Sequence, residues 1–156
     1  MKTTQNYRIR DITPKWEIQE PITEQKVTGP ESIYEIVSDY YKAKELDPTK
    51  EHCICAVLSR SHDVIGFNLV STGSVSASIV HPREVFKPAI SISGSAIILI
   101  HNHPSGELLE SRQDIEITKT VQEAGEILDI PLLDHIIISF QKKSYKSLKE
   151  AGYIND

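Results

Sequence analysis

Residues 97–106 read IILIHNHPSG, from Ile97 to Gly106. Four aliphatic residues in a row, stopped by Pro-Ser-Gly, mark the end of a buried strand. That strand ends in two histidines with one asparagine between them. Side chains at i and i+2 of a strand leave the same face, so His101 and His103 point one way and Asn102 the other. The carboxyl ends of strands are where α/β sheets place their sites. Eleven residues past His103 comes Asp114, in the first turn of a helix read over 110–129, ESRQDIEITKTVQEAGEILD. Ser111 reads as the N-cap of that helix, and Ser-x-x-Asp has the form of a capping box. Two imidazoles and one carboxylate make a sensible zinc set, with a fourth position open to water. The same residues have plainer readings: polar strand ends for the histidines, and a helix-cap carboxylate for Asp114.

The flanking sequence sets these residues in an α/β chain. Residues 29–46, GPESIYEIVSDYYKAKEL, predict a helix with Pro30 at its first turn and an apolar stripe of Ile33, Ile36, Val37 and Tyr40. EHCICAVLSR (51–60) and VIGFNLVSTG (64–73) predict two strands of a hairpin, and ASIVHP (77–82) a third strand. PREVFKPAISI (82–92) starts as a helix that Pro88 is expected to kink or end. In the helix after the Pro-Ser-Gly break, Ile117, Val121, Ala124 and Leu128 form the apolar stripe, and IPLLDHIIIS (130–139) is read as the last strand. The alternation YRIRDI near the start, interrupted by Pro14 and Pro21, suggests an edge strand and an arm. The expected class is α/β: one mixed β-sheet flanked by helices.

Composition narrows the function classes. The chain has 156 residues, about one domain's length, with a net charge of −5. The charge balance lacks the footprint of a dedicated nucleic-acid binder, and the densest basic stretch, QKKSYKSLK, reads as a solvated face. Cys53 and Cys55, two apart on a strand, read as small core side chains in a reducing compartment. The first residues contain no apolar signal region, and the aliphatic runs are far shorter than a membrane span, so a soluble cytoplasmic protein is expected.

The combination His-x-His, seven residues, Ser-x-x-Asp resembles the JAMM motif, also called JAB or MPN. The stretches GSVSASIVHPREVFKPAI, AIILIHNHPSG, SRQDIEITKTVQEAGEIL and LLDHIIIS resemble the RadC family over roughly residues 30–154. The resemblance implies a cytidine-deaminase-like fold, with residues 1–29 an N-terminal extension and 30–156 a RadC-type JAB domain. It implies zinc on His101, His103 and Asp114. It implies that Ser111 helps stabilise an oxyanion and that Glu51, opening EHCICAVL, is the general base. The implied function is a zinc metallopeptidase or isopeptidase acting on a protein or peptide. RadC proteins typically carry an N-terminal helix-hairpin-helix region; residues 1–29 show no such pattern, so a tight nucleic-acid partner is not expected. The loop GELLESRQD lacks the family's usual prolines before the serine, and Leu108–Leu109 reads as an exposed apolar feature.

Other classes compete. The string HNH invites a nuclease reading, but that motif's residues are dispersed over a hairpin and a helix. A zinc deaminase needs His-x-Glu and Pro-Cys-x-x-Cys, and neither occurs. A non-catalytic RadC-like binding module, favoured if Glu51 lies far from the metal, or a DNA-repair-associated protein is the alternative. His135, in LLDHIII, reads as a satisfied polar group of the sheet or as a residue placed behind a ligand. His52, His62 and His81 are assigned nothing.

Overall fold

The computed structural model describes residues 25–73 and 80–155. Five strands and three helices follow in the order α1 (Pro30–Ala43), β1 (Glu51–Leu58), β2 (Val64–Gly73), α2 (Pro82–Ser91), β3 (Ala96–Asn102), α3 (Arg112–Leu128), β4 (Leu132–Ser139) and β5 (Ser144–Ser147). The sheet order is β2-β1-β3-β4-β5. Only the β3–β4 pair is parallel, because α3 carries the chain back across the sheet between them; the other three pairs are antiparallel. The sheet is therefore mixed and flanked by helices, as expected.

Strand alternation sorts the core into two clusters. Cys53, Cys55, Val57, Ile97 and Leu99 face α2 and α3, where Val85, Phe86, Ile117 and Val121 cover them. Ile54, Ala56, Ile98, Ile100, Ile136 and Ile138 face α1, where Ile33, Ile36, Val37 and Tyr41 cover them. His101 continues the first set and Asn102 the second. Both cysteines are free and buried, and burial pushes the Cys53 thiol up to about 12.

Several readings need correcting. Tyr41, not Tyr40, completes the buried stripe of α1; Tyr40 is half-buried and stacks on Phe67 at 4.5 Å between ring centroids. In α3 the buried face runs through Thr118 and Gly125, while Leu128 is exposed. Helix α2 does not end at Pro88 but runs to Ser91. A proline at 88 cannot donate to the carbonyl of Glu84. The side-chain amide of Asn68, on β2, donates to that carbonyl instead, at 3.2 Å. β4 is not the last strand. β5 adds a polar edge, held where the Ser147 hydroxyl donates to Asp134 Oδ2 at 2.6 Å. Of the stretch read as a third strand, 77–79 lie outside the described residues, while Val80 and His81 carry no strand and Pro82 opens α2. The edge strand and arm read near the start also lie outside the described residues, apart from an isolated bridge of Lys26 to Asp63. Among the described residues no helix is long and apolar enough to cross a membrane.

Candidate metal centre

β3 delivers His101 to the α3 side of the sheet, fully buried. The chain then turns at Pro104–Gly106. Gly106 has φ +77°, and a Cβ there would strike the Gln141 side chain, so the turn calls for glycine. The turn returns the chain to the start of α3 above the strand end. Ser111 caps the helix: its Oγ accepts from Asp114 N at 3.1 Å, and Asp114 Oδ2 accepts from Ser111 N at 2.7 Å. This capping box faces the Asp114 carboxylate toward the histidines.

Three donor groups converge. The Nε2 atoms of His101 and His103 are 2.9 Å apart. Asp114 Oδ1 lies 3.1 Å from His101 Nε2, and Oδ2 lies 3.5 Å from His103 Nε2. The remaining nitrogen of each ring is engaged elsewhere: His103 Nδ1 donates to the carbonyl of Glu107 at 2.8 Å, and His101 Nδ1 meets His135 Nε2 at 2.8 Å. Both rings are thus oriented with Nε2 inward.

A second carboxylate arrives from β1. Cys53 pairs with His101 in the antiparallel register, so Glu51, two residues away on the same face, lies level with His103. Glu51, His101 and His103 each offer one ligand atom within 4.8 Å of the others, a group able to hold a metal ion. The structure therefore brings together Glu51, His101, His103 and Asp114, with Ser111 at the rim.

The electrostatics follow from burial. Burial pushes Asp114 up, but the two imidazoles of His101 and His103 beside it outweigh that and hold the carboxyl well below the usual carboxylate range. The hydrogen bond to Asp114 raises His103, against the opposing effect of burial. Burial holds His135 well below the usual imidazole range. Two nitrogens and an anionic carboxylate, each within reach of the next, fit a divalent metal ion by donor chemistry.

The neighbouring side chains are also placed. The Ser111 hydroxyl spends its proton on Asp114 Oδ2, at 2.7 Å. Of the Leu108–Leu109 pair, only Leu109 is strongly exposed, at 72%. His52 is structural: its ring nitrogens meet Thr72 Oγ1 at 3.0 Å and the carbonyl of Asp47 at 2.8 Å. Thr118 went unread in the sequence. Its only local signal is its position one turn after Asp114 on the buried face of α3.

Similarity to known proteins identifies the family. A family model described as a RadC-like JAB domain matches residues 27–153. A UPF0758 protein of Staphylococcus haemolyticus is 45% identical over 130 residues, covering 83% of this chain and 54% of its own length. One from Methanococcoides burtonii is 40% identical over 154 residues, covering 99% of this chain and 65% of its own. One from Bacillus licheniformis is 50% identical over 106 residues, covering 68% and 46%. The chain thus spans about half to two-thirds of the length of these relatives. The matched region carries the whole histidine–carboxylate cluster, and the chain belongs to the RadC-like JAB domain family.

Proposed function

We propose that this domain is a zinc-dependent peptidase or isopeptidase, with His101, His103 and Asp114 as the metal ligands. The observation that supports it most is the meeting of three ligand groups, from the end of β3, the turn after it and α3, with a separate carboxylate from β1. Bound there, zinc supplies a Lewis acid that polarises a carbonyl and makes water more acidic. The chain's own residues divide the rest. Glu51 takes a proton from the water that attacks the carbonyl carbon, then delivers it to the amine as the C–N bond breaks. Ser111 keeps its cap bond, in which its oxygen is the acceptor, while the developing oxyanion competes with Asp114 for its proton. Leu109, exposed on the ligand loop, offers apolar contact to a polypeptide. A tight nucleic-acid partner is not part of this reading, given the net charge of −5.

The test pairs metal analysis with cleavage of a peptide and isopeptide library. Glu51→Gln preserves size but cannot accept the proton. It is expected to keep zinc at the parent's stoichiometry and to lose about 10²–10⁴-fold in hydrolysis rate. Equal rates for the variant and the parent would show that the base lies elsewhere.

A further inference from the structure

We propose that His135 and Thr118 are positioning residues, a hydrogen-bond relay that holds a proton on His101 Nδ1 and so turns the Nε2 lone pair toward the metal. The functional meaning rests on the metal-site reading above; the geometry does not.

The relay can be followed proton by proton. A backbone carbonyl has no proton to give, so the 2.6 Å bond between Thr118 Oγ1 and the carbonyl of Asp114 uses the hydroxyl's single proton. The Thr118 oxygen is then an acceptor for His135 Nδ1, 2.7 Å away. His135 is fully buried, with one ring nitrogen on that hydroxyl and the other on the His101 imidazole, so its ring is neutral and carries one proton. That proton sits on Nδ1. His135 Nε2 therefore presents a lone pair, and the 2.8 Å contact requires a proton on His101 Nδ1. A neutral His101 with Nδ1 protonated has its lone pair on Nε2, the atom that faces His103 and Asp114.

The relay closes on itself. It starts at the backbone of Asp114 and ends at a histidine that touches the Asp114 side chain, so one residue contributes a ligand and sets the tautomer of another. Helix α3 makes this possible because Thr118 stands one turn after Asp114. β4 supplies the other half. Its register with β3 shifts between Ile97 and Ile98, where Leu132 and Asp134 are the successive partners, so Leu133 is an extra residue. That one extra residue lets Leu132 and His135, three apart, both face α3.

Long-range 1H–15N correlation of the imidazole nitrogens in the metal-free protein at pH 8 tests the relay directly. The expected result is His135 protonated on Nδ1 with a bare Nε2, and His101 protonated on Nδ1. Thr118→Val removes the acceptor at similar volume. It is expected to change the His135 tautomer and to weaken zinc about 10–100-fold in competition with a chromophoric chelator. Thr118→Ser restores both. His135 protonated on Nε2 in the parent overturns the relay even if zinc binds. So does a Thr118→Val protein with parental tautomers and affinity. Parental tautomers as expected in a protein that does not bind zinc would uphold the relay while removing the metal reading.

Discussion

His101 and Asn102 are neighbours on one strand, equally buried, and their side chains do opposite work. Asn102 faces α1 with every polar atom committed. Its Oδ1 accepts from Tyr41 Oη and from His52 N, each at 2.8 Å. Its Nδ2 donates to the carbonyls of Lys50 at 2.9 Å and Pro48 at 3.4 Å. That is the full capacity of an amide. His101 faces α3 with one nitrogen tied back to His135 and the other turned into a cluster of lone pairs and carboxylate oxygens. A saturated buried polar group holds the fold together. A buried group whose acceptors converge on one another has a geometry that an added cation would complete.

Four expected outcomes sharpen or break that contrast. The largest is on the α3 side. The double variant His101→Ala, His103→Ala should lose zinc entirely by metal analysis; stoichiometric zinc in that protein would break the comparison. On the α1 side, Asn102→Ala leaves the Tyr41 hydroxyl, the His52 N–H and the Lys50 carbonyl without their partner. Urea unfolding should show a loss of about 3 kcal/mol or more, with zinc stoichiometry unchanged. Zinc lost in step with stability would mean the two faces are not separable.

The third outcome is a pH dependence. The hydrogen bond to Asp114 raises His103 above its unfolded value. A raised histidine contributes stability that is full below about 6.5, the unfolded value, and is lost as pH rises through the folded value. His135, held well below its unfolded value by burial, contributes in the opposite sense below about 6.5. The His103 contribution is therefore read as a difference: the melting temperature of the metal-free parent relative to His103→Gln should be higher at pH 6 than at pH 8.5. Zinc must displace the same proton, so its affinity should rise over the same window, by at most about tenfold per pH unit. The smallest effect is Tyr41→Phe, which leaves Asn102 Oδ1 with one donor of two and should cost about 1 kcal/mol in urea.

The sequence made the ligand side legible because its signals are local. His-x-His is a strand period, Ser-x-x-Asp is a helix cap, and the aliphatic run before them needs no partner to be read as buried. What stayed hidden depends on contacts across the fold. The link of His135 to His101 spans 34 residues, and nothing near LLDHIII says which ring nitrogen is used. β5 has the composition of a turn, and it becomes a strand because β4 offers an edge and Asp134 a buried acceptor for Ser147. Pro88 was given its ordinary cost because the amide that relieves it comes from Asn68, twenty residues earlier.

The loop from His103 to Glu110 hangs on that unforeseen C-terminal edge. Gln141 donates to the carbonyl of Pro104 at 3.2 Å, Lys142 pairs with Glu107 at 2.9 Å, and Lys146 and Tyr153 both hold Glu110. The Gln141 and Lys142 ties are exposed, and exposed ties of this kind contribute little each. His101 lies in the middle of the sheet and can be released only by unfolding it, whereas His103 sits where a small, local opening suffices. A cation bound to both would fasten the loop to the sheet. Amide hydrogen exchange over 103–110 should then slow on adding zinc, while the amides of β3, buried and paired on both edges, are expected to respond only as the whole molecule does.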